Sequence, residues 1–192
     1  KVITGFKGLI NILEVQLGQS NPMIAESVRI AEWQTTISTL DNGEKAYSMS
    51  FQTDSWNTAR ELMAKRDELV LAGWKPASCV GGGKWIEAIA EIELSEHSHS
   101  NGFADRVQIL FDLLKQNDLP INIKRIHLVD EDESVWDNWE KQLVTLLKQK
   151  GVQIQQIGIQ LPEVYEDPTT DLDKIKLALY DETARENVTL TG

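Results

Sequence analysis

What most constrains the fold is an ordered change of period between residues 103 and 159: helical, strand-like, helical, strand-like. Phe103, Val107, Leu110, Phe111 and Leu114 share one helical stripe, because a 3.6-residue turn returns every third or fourth side chain to the same face. Asp118 to Pro120 breaks the stripe, and Arg125-Ile126-His127-Leu128-Val129-Asp130 reads as a short, mostly buried strand. Ser134 with Asp137 three residues on has the form of a capping box, with Asp where Glu is commoner. The helix it starts runs through Trp136, Trp139, Leu143, Leu146 and Leu147 to Gly151. Val152 to Ile159 is then a second strand. A strand, a helix and a strand of these lengths predict a parallel βαβ crossover, since parallel neighbours need a long connection.

Upstream the pattern is helical throughout. Leu9, Ile10, Leu13 and Leu17 fall on one face, and Gly18 follows where a left-handed helix end belongs. Asn21-Pro22 opens a second helix, with Ile24, Val28, Ala31, Ile37 and Leu40 as its apolar positions and Asp41-Asn42-Gly43 as its stop. After a connector rich in Ser and Phe, Asp54 caps a third helix through Ala59, Leu62, Met63, Leu69, Val70 and Leu71, ended by Gly73. Lys75 to Gly83, with its Pro, Ser and three consecutive glycines, is a loop or joint; Trp85 to Leu94 can form another helix, and Ser95 to Gly102 a flexible surface turn. The expected organisation is a helical part over 1–78, a flexible joint over 79–101, and an α/β part over 102–192. Lys1 in place of Met, entry on Val2-Ile3, and the strand-like close Asn187-Val188-Thr189-Leu190 lead us to expect a fragment of a larger protein.

Charge narrows the partners. Nineteen Lys and Arg against thirty Asp and Glu give a net charge of -11. The basic residues occur as scattered pairs, not as the stripe that counterion-release binding to nucleic acid uses. One cysteine, Cys79, excludes an internal disulfide framework and a multi-cysteine zinc site. No apolar run approaches the roughly 18 residues of a membrane span and no signal peptide is legible, so the default expectation is a cytoplasmic protein without membrane contact.

Each candidate for chemistry competes with a plainer role. Gly81-Gly82-Gly83-Lys84 suggests a phosphate loop, but Ser78 stands where a Walker A motif needs Gly and Trp85 where it needs Ser or Thr. Val2 to Gly8 has the strand-turn-helix order of an anion site, in which Gly5, Lys7 and Gly8 would contact the ligand, again without a Lys-Ser/Thr pair. His97 and His99, with Glu93 and Glu96 near, could on paper ligate zinc or nickel; in a Ser-rich turn an incidental solvated pair is the plainer reading. Asp130 and Asp132, in the acidic run Asp130-Glu131-Asp132-Glu133, follow the carboxyl end of a strand, where open α/β sheets collect ligands and where two carboxylates could hold Mg²⁺. The same acids equally suit a helix N-terminus. A PD-(D/E)xK nuclease site needs an acid and a lysine on the next strand, and Val152 to Ile159 has neither. The six tryptophans could stack bases, but Trp33, Trp136 and Trp139 lie on apolar stripes, which makes core packing the expected role.

One resemblance spans most of the chain. Gly8-Leu9-Ile10-Asn11-Ile12-Leu13-Glu14, then Ser50-Phe51 and Asp54-Ser55-Trp56-Asn57-Thr58-Ala59-Arg60-Glu61-Leu62, then Arg66-Asp67-Glu68-Leu69-Val70-Leu71-Ala72-Gly73-Trp74, resemble the N-terminal region of large bacterial PD-(D/E)xK nuclease family proteins, similar to the B subunit of AddAB-type helicase-nucleases. Ile126 to Asp130, Trp136, Leu143, Leu147, Gly151-Val152 and Asn187 to Leu190 follow that family's order of elements. The resemblance implies a degenerate, P-loop-like helicase domain that has lost ATPase function. It further implies a Mg-dependent nuclease site outside this chain, DNA bound through the full-length protein, and a helicase subunit as partner. From both lines we expect an α/β chain, mostly helical with a small parallel sheet, acting as a non-catalytic scaffold that positions DNA in a repair exonuclease. The alternatives left open are a stand-alone module binding a nucleotide or small anion near Asp130 and residues 81–84, and a protein-interaction domain.

Overall fold

The computed structural model of the 192-residue chain describes residues 2–19, 24–78, 82–97, 99–116, 121–129 and 133–157. Their fold is mostly helical with a small two-stranded parallel sheet. Seven α-helices are described: α1 (Phe6–Gln16), α2 (Glu26–Leu40), α3 (Ser48–Thr53), α4 (Ser55–Leu71), α5 (Lys84–Glu93), α6 (Phe103–Lys115) and α7 (Asn138–Gln149). The strands are β1 (Arg125–Val129) and β2 (Gln153–Ile157). Residues 1–127 and 131–155 form one compact unit. The other comprises 128–130 and 156–192, of which only the last two residues of each strand are described. None of the described helices is long and apolar enough to cross a membrane.

Glycine punctuation works as the sequence predicts. Gly18, Gly73 and Gly151 follow α1, α4 and α7 with φ of +70°, +89° and +82°, a left-handed geometry that costs a residue with a Cβ about 1–2 kcal/mol. Asp54 caps α4, its Oδ1 accepting from Asn57 N–H at 3.0 Å. That bond, with a second one from the Asn57 side chain, holds the Asp54 carboxyl below the usual carboxylate range. The capping box of α7 sits three residues later than expected: Glu140 Oε2 accepts from Asp137 N–H at 2.9 Å. Residues Glu133–Val135 are instead a 3₁₀ turn, so Trp136 precedes the helix. The connector rich in Ser and Phe holds the short helix α3, and Lys75 to Gly83 contains a 3₁₀ turn at Pro76–Ser78. Helix α2 starts at Glu26 with Ala25 as its N-cap, and the expected cap Asn21-Pro22 lies outside the described residues.

Two apolar cores fill the first unit. One joins α1, α6 and α7 through Ile10, Leu13, Val107, Leu110, Phe111, Leu114, Trp139, Leu143 and Leu147, and Ile126 and Ile154 of the strands pack against it. Phe6 meets Trp136 and Trp139 edge-on at 5.2 and 6.1 Å, and Phe103 meets Trp139 at 5.4 Å. The other joins α2, α4 and α5 through Ile30, Trp33, Ile37, Leu62, Met63, Ala88, Ile89 and Ile92, with Tyr47 buried beside them. Each fully buried aliphatic or aromatic side chain contributes about 1.5–3 kcal/mol. Within the span expected to be a joint, α5 therefore lies packed in this second core. The strands run parallel, Gln153 N–H donating to Lys124 O at 2.9 Å, and α7 makes the connection between them.

The face that α2 buries includes Ile37 but turns away from two of the expected apolar positions, Val28 and Ala31. Val28 is 47% exposed and Ala31 is exposed, whereas Arg29 and Thr36 are buried with Ile30, Trp33 and Ile37. Polar groups can occupy a core face only where partners meet them, and those partners define the candidate site.

Candidate functional site

The polar centre of the first unit lies where α2, α4, α5 and the start of α6 converge. Arg29, at 7% exposure, reaches from α2 to α4: its Nη1 and Nη2 donate to the two carboxylate oxygens of Asp67 at 2.8 and 2.9 Å, and its Nε to Ser100 O at 3.2 Å. Arg66, one residue from Asp67 and equally buried, is the hub. Its Nη1 donates to Asp67 Oδ1 at 3.0 Å, its Nε to Glu93 Oε2 at 3.0 Å and its Nη2 to Asp105 Oδ1 at 2.5 Å, with a further bond to Glu93 Oε1. Burial favours loss of its proton, but Asp105 and Glu93 outweigh burial and raise the pKa of the guanidinium still further. The planar fork of arginine suits this task, since it can meet three carboxylates in fixed directions.

Beside this ion network the residues before α6 are tied to α2. Glu32 accepts from Ser100 N–H at 2.8 Å and from Ser100 Oγ at 2.6 Å. His99 Nε2 lies 3.0 Å from Thr36 Oγ1, and the imidazole rests on the Trp33 ring at 5.3 Å and a 33° tilt. Arg29, Glu32, Trp33 and Thr36 stand at helical spacing, so one stripe of α2 makes all these contacts. Arg29, Trp33, Arg66, Glu93, His97, His99 and Asp105 help line a polar cavity of about 160 Å³. Burial lowers the His99 pKa, against the pull of Glu93 and Glu32. His99 is therefore partly buried and partnered, where the sequence suggested a solvated side chain.

Gly102 carries the tightest backbone approach in this network. A Cβ there would collide with the Arg29 guanidinium. Its φ of -94° is open to any residue, so contact and not strain demands glycine. Because Asp67 and Ser100 pin the guanidinium, it cannot swing aside without losing those bonds. Gly102→Ala is expected to destabilise the chain by about 1–3 kcal/mol in urea unfolding, the cost of breaking buried charge-assisted hydrogen bonds; unchanged stability would show that Arg29 is not held.

The residues singled out in the sequence take up separate places. Gly5 is the N-cap of α1, and Gly8 lies inside that helix, close against the Thr4 side chain. Lys7 Nζ stands 5.5 Å from the centroid of the Phe103 ring, a cation–π contact that ties α1 to α6. Asp130, Asp132 and Cys79 lie outside the described residues, as does Gly81 of the glycine run. Gly83 is the N-cap of α5 at φ +86° and Lys84 its first residue. Among the described residues no three His, Cys, Asp or Glu side chains are grouped to hold a metal ion. Trp33, Trp136 and Trp139 are core residues, the role expected of them, although Trp136 lies before α7 and not on its stripe, while Trp56 and Trp85 are 39% and 49% exposed.

Sequence reasoning missed Arg29, Arg66 and Asp105, together with a second ion pair, Arg106 to Glu14, which joins α6 to α1 and also engages Asn11 at 2.6 Å. Glu14 raises the Arg106 pKa. One signal was available: Arg29, Arg66 and Arg106 each occupy a position in phase with the apolar face of their helix. Comparison with protein-family models, with curated proteins and with solved structures finds no match to this chain.

Proposed function

We propose that this chain is a non-catalytic scaffold that positions DNA in a repair exonuclease of the helicase-nuclease kind, with the nuclease site and its Mg²⁺ outside these 192 residues. The observation that carries the reading is that Arg29 and Arg66 pair with Asp67, Glu93 and Asp105 across four helices. Their charges hold the helices together, which is an architectural use and not a reactive one. The residues that carry the family resemblance share in it. Asp54 caps α4, and Arg66 with Asp67 is the hub of the network. On this reading the chain is a degenerate helicase-like domain of a cytoplasmic enzyme. Its surface packs against the remaining domains and a helicase subunit, and DNA is gripped by the assembled protein, in keeping with the net charge of -11.

A thermal-shift titration with ATP and Mg²⁺, run beside a low-salt single-stranded DNA binding assay, tests the reading. We expect no shift with ATP. We also expect DNA binding to rise sharply when these 192 residues are joined to a PD-(D/E)xK nuclease domain. A bound nucleotide at one hundred times its Kd would add about 2.7 kcal/mol. A shift of that size would overturn the scaffold reading in favour of a nucleotide-binding module at residues 4–8 or 81–84.

A further inference from the structure

We propose that residues His99 to Gly102 form an acid-released latch: protonation of the His99 imidazole frees this segment from α2 while the rest of the helical unit stays folded. The segment is held by contacts that differ from those of the cores. Ser100 is gripped at its N–H, its hydroxyl and its carbonyl by Glu32 and Arg29, and His99 is held between Trp33 and Thr36. All four holding residues belong to one stripe of α2. Gly102 then starts α6, its N–H donating to Asp105 Oδ2 at 2.7 Å. None of residues 99 to 102 is aliphatic, so apart from the His99 ring on Trp33 the segment is held by polar bonds that can be exchanged for water.

The surroundings of the imidazole make its neutral form the one that fits. Glu32 and Arg29 face it from α2, Arg66 from α4, Glu93 from α5 and Asp105 from α6, and His97 lies on its own connector. Among these carboxylates, Glu93 and Asp105 are paired with Arg66, and Glu32 accepts from Ser100. Glu93 and Glu32 pull toward the charged ring, but Arg66 opposes them and burial against Trp33 outweighs their pull. The Thr36 hydroxyl can donate its hydrogen bond either to His99 Nε2 or to the Glu32 backbone carbonyl, which is 3.1 Å away. A neutral ring offers either role, whereas a charged one fixes Thr36 as acceptor and leaves a second N–H to be solvated. Water is reached by leaving the Trp33 face.

The direction with pH follows. Burial holds the closed-state pKa of His99 below its ordinary value of 6.5. The open state therefore takes up the proton first. Closure is favoured fully above the ordinary value and weakens as pH falls through it, levelling off below the closed-state pKa.

Amide hydrogen exchange of the whole chain, corrected for intrinsic pH dependence, reads this out residue by residue. Between about pH 7.5 and about pH 5.5 the protection of the Ser100 and Gly102 amides should fall about fivefold or more, with Leu143 and Leu147 of α7 steady. His99→Gln, which keeps hydrogen-bonding capacity but cannot titrate, should abolish the change, and His97→Gln should preserve it. The latch is overturned if Ser100 and Gly102 protection stays flat, if it falls equally in His99→Gln, or if it falls in step with α7, which would be global unfolding. Should the glutamine variants fail to fold, the wild-type imidazole resonances decide. A His99 midpoint that coincides with the loss of Ser100 protection upholds the latch, and separated midpoints sink it.

Discussion

Arg66→Met is expected to destabilise the chain by about 3–5 kcal/mol, the range for removing one partner of a buried ion pair. Arg66 contacts Asp67, Glu93 and Asp105, all largely buried. Methionine fills much of the volume but leaves Glu93 without its bidentate partner and Asp105 with only the Gly102 N–H. The cost is thus the desolvation of stranded carboxylates more than the loss of an attraction. Urea unfolding at neutral pH measures it. Repeating the measurement at lower pH separates the causes, because protonating the stranded carboxylates should narrow the gap between variant and wild type. A gap independent of pH through the carboxylate range would mean that Arg66 acts through packing alone. Arg66→Lys should recover only part of the loss, since an ammonium cannot reproduce the fork that addresses three carboxylates from one plane.

Trp33→Ala should cost a comparable amount, about 3–5 kcal/mol, through a different mechanism. The indole is 1% exposed, packs in the second core with Ile30, Ile37, Leu62 and Ile89, and floors the polar cavity under His99. Truncation opens a void between an apolar layer and an ionic one. Water drawn into it would weaken the Arg29 and Arg66 pairs by raising the local dielectric. Trp33→Phe retains a ring against both neighbours and should keep more than half of the lost stability. Against a typical total of about 5–15 kcal/mol for a small protein, the alanine variant is expected to be partly unfolded near body temperature. Circular dichroism of both variants against temperature checks this, and equal melting of Trp33→Ala and wild type would show that the second core does not depend on α2.

These two residues also bear on the functional proposal. If helix placement by the ion network is what the chain contributes to an exonuclease, Arg66→Met should impair DNA positioning while leaving any distant metal site intact. A variant that abolished metal-dependent cleavage outright would point to a direct chemical role for the network.

Local physics made much of the fold legible. The stops at Gly18, Gly73 and Gly151, the cap at Asp54, the stripe Val107-Leu110-Phe111-Leu114 and the strands around Ile126 and Ile154 each depend on a few neighbouring residues. The short helix α3 and the shift of the α7 cap from Ser134 to Asp137 were not legible. Ser, Thr, Asp and Glu compete for such positions on small energy differences that packing settles. The candidate site was hidden for a stronger reason. A buried arginine has the same letter as an exposed one, and only its partners, 27 to 71 residues away in the chain for Arg66 with Glu93 and Arg29 with Ser100, reveal it.

By itself, then, the sequence determined which of the longer stretches coil, where most of them stop, and that two strands run parallel around a helix, because periodicity and glycine conformation act within a turn or two of chain. Only the tertiary structure decided which face α2 buries, that His99 rests on Trp33, and that Arg66 gathers three carboxylates. Those outcomes turn on whether a polar group meets its partner once water is excluded, and a partner from a distant helix exists only after the chain has folded.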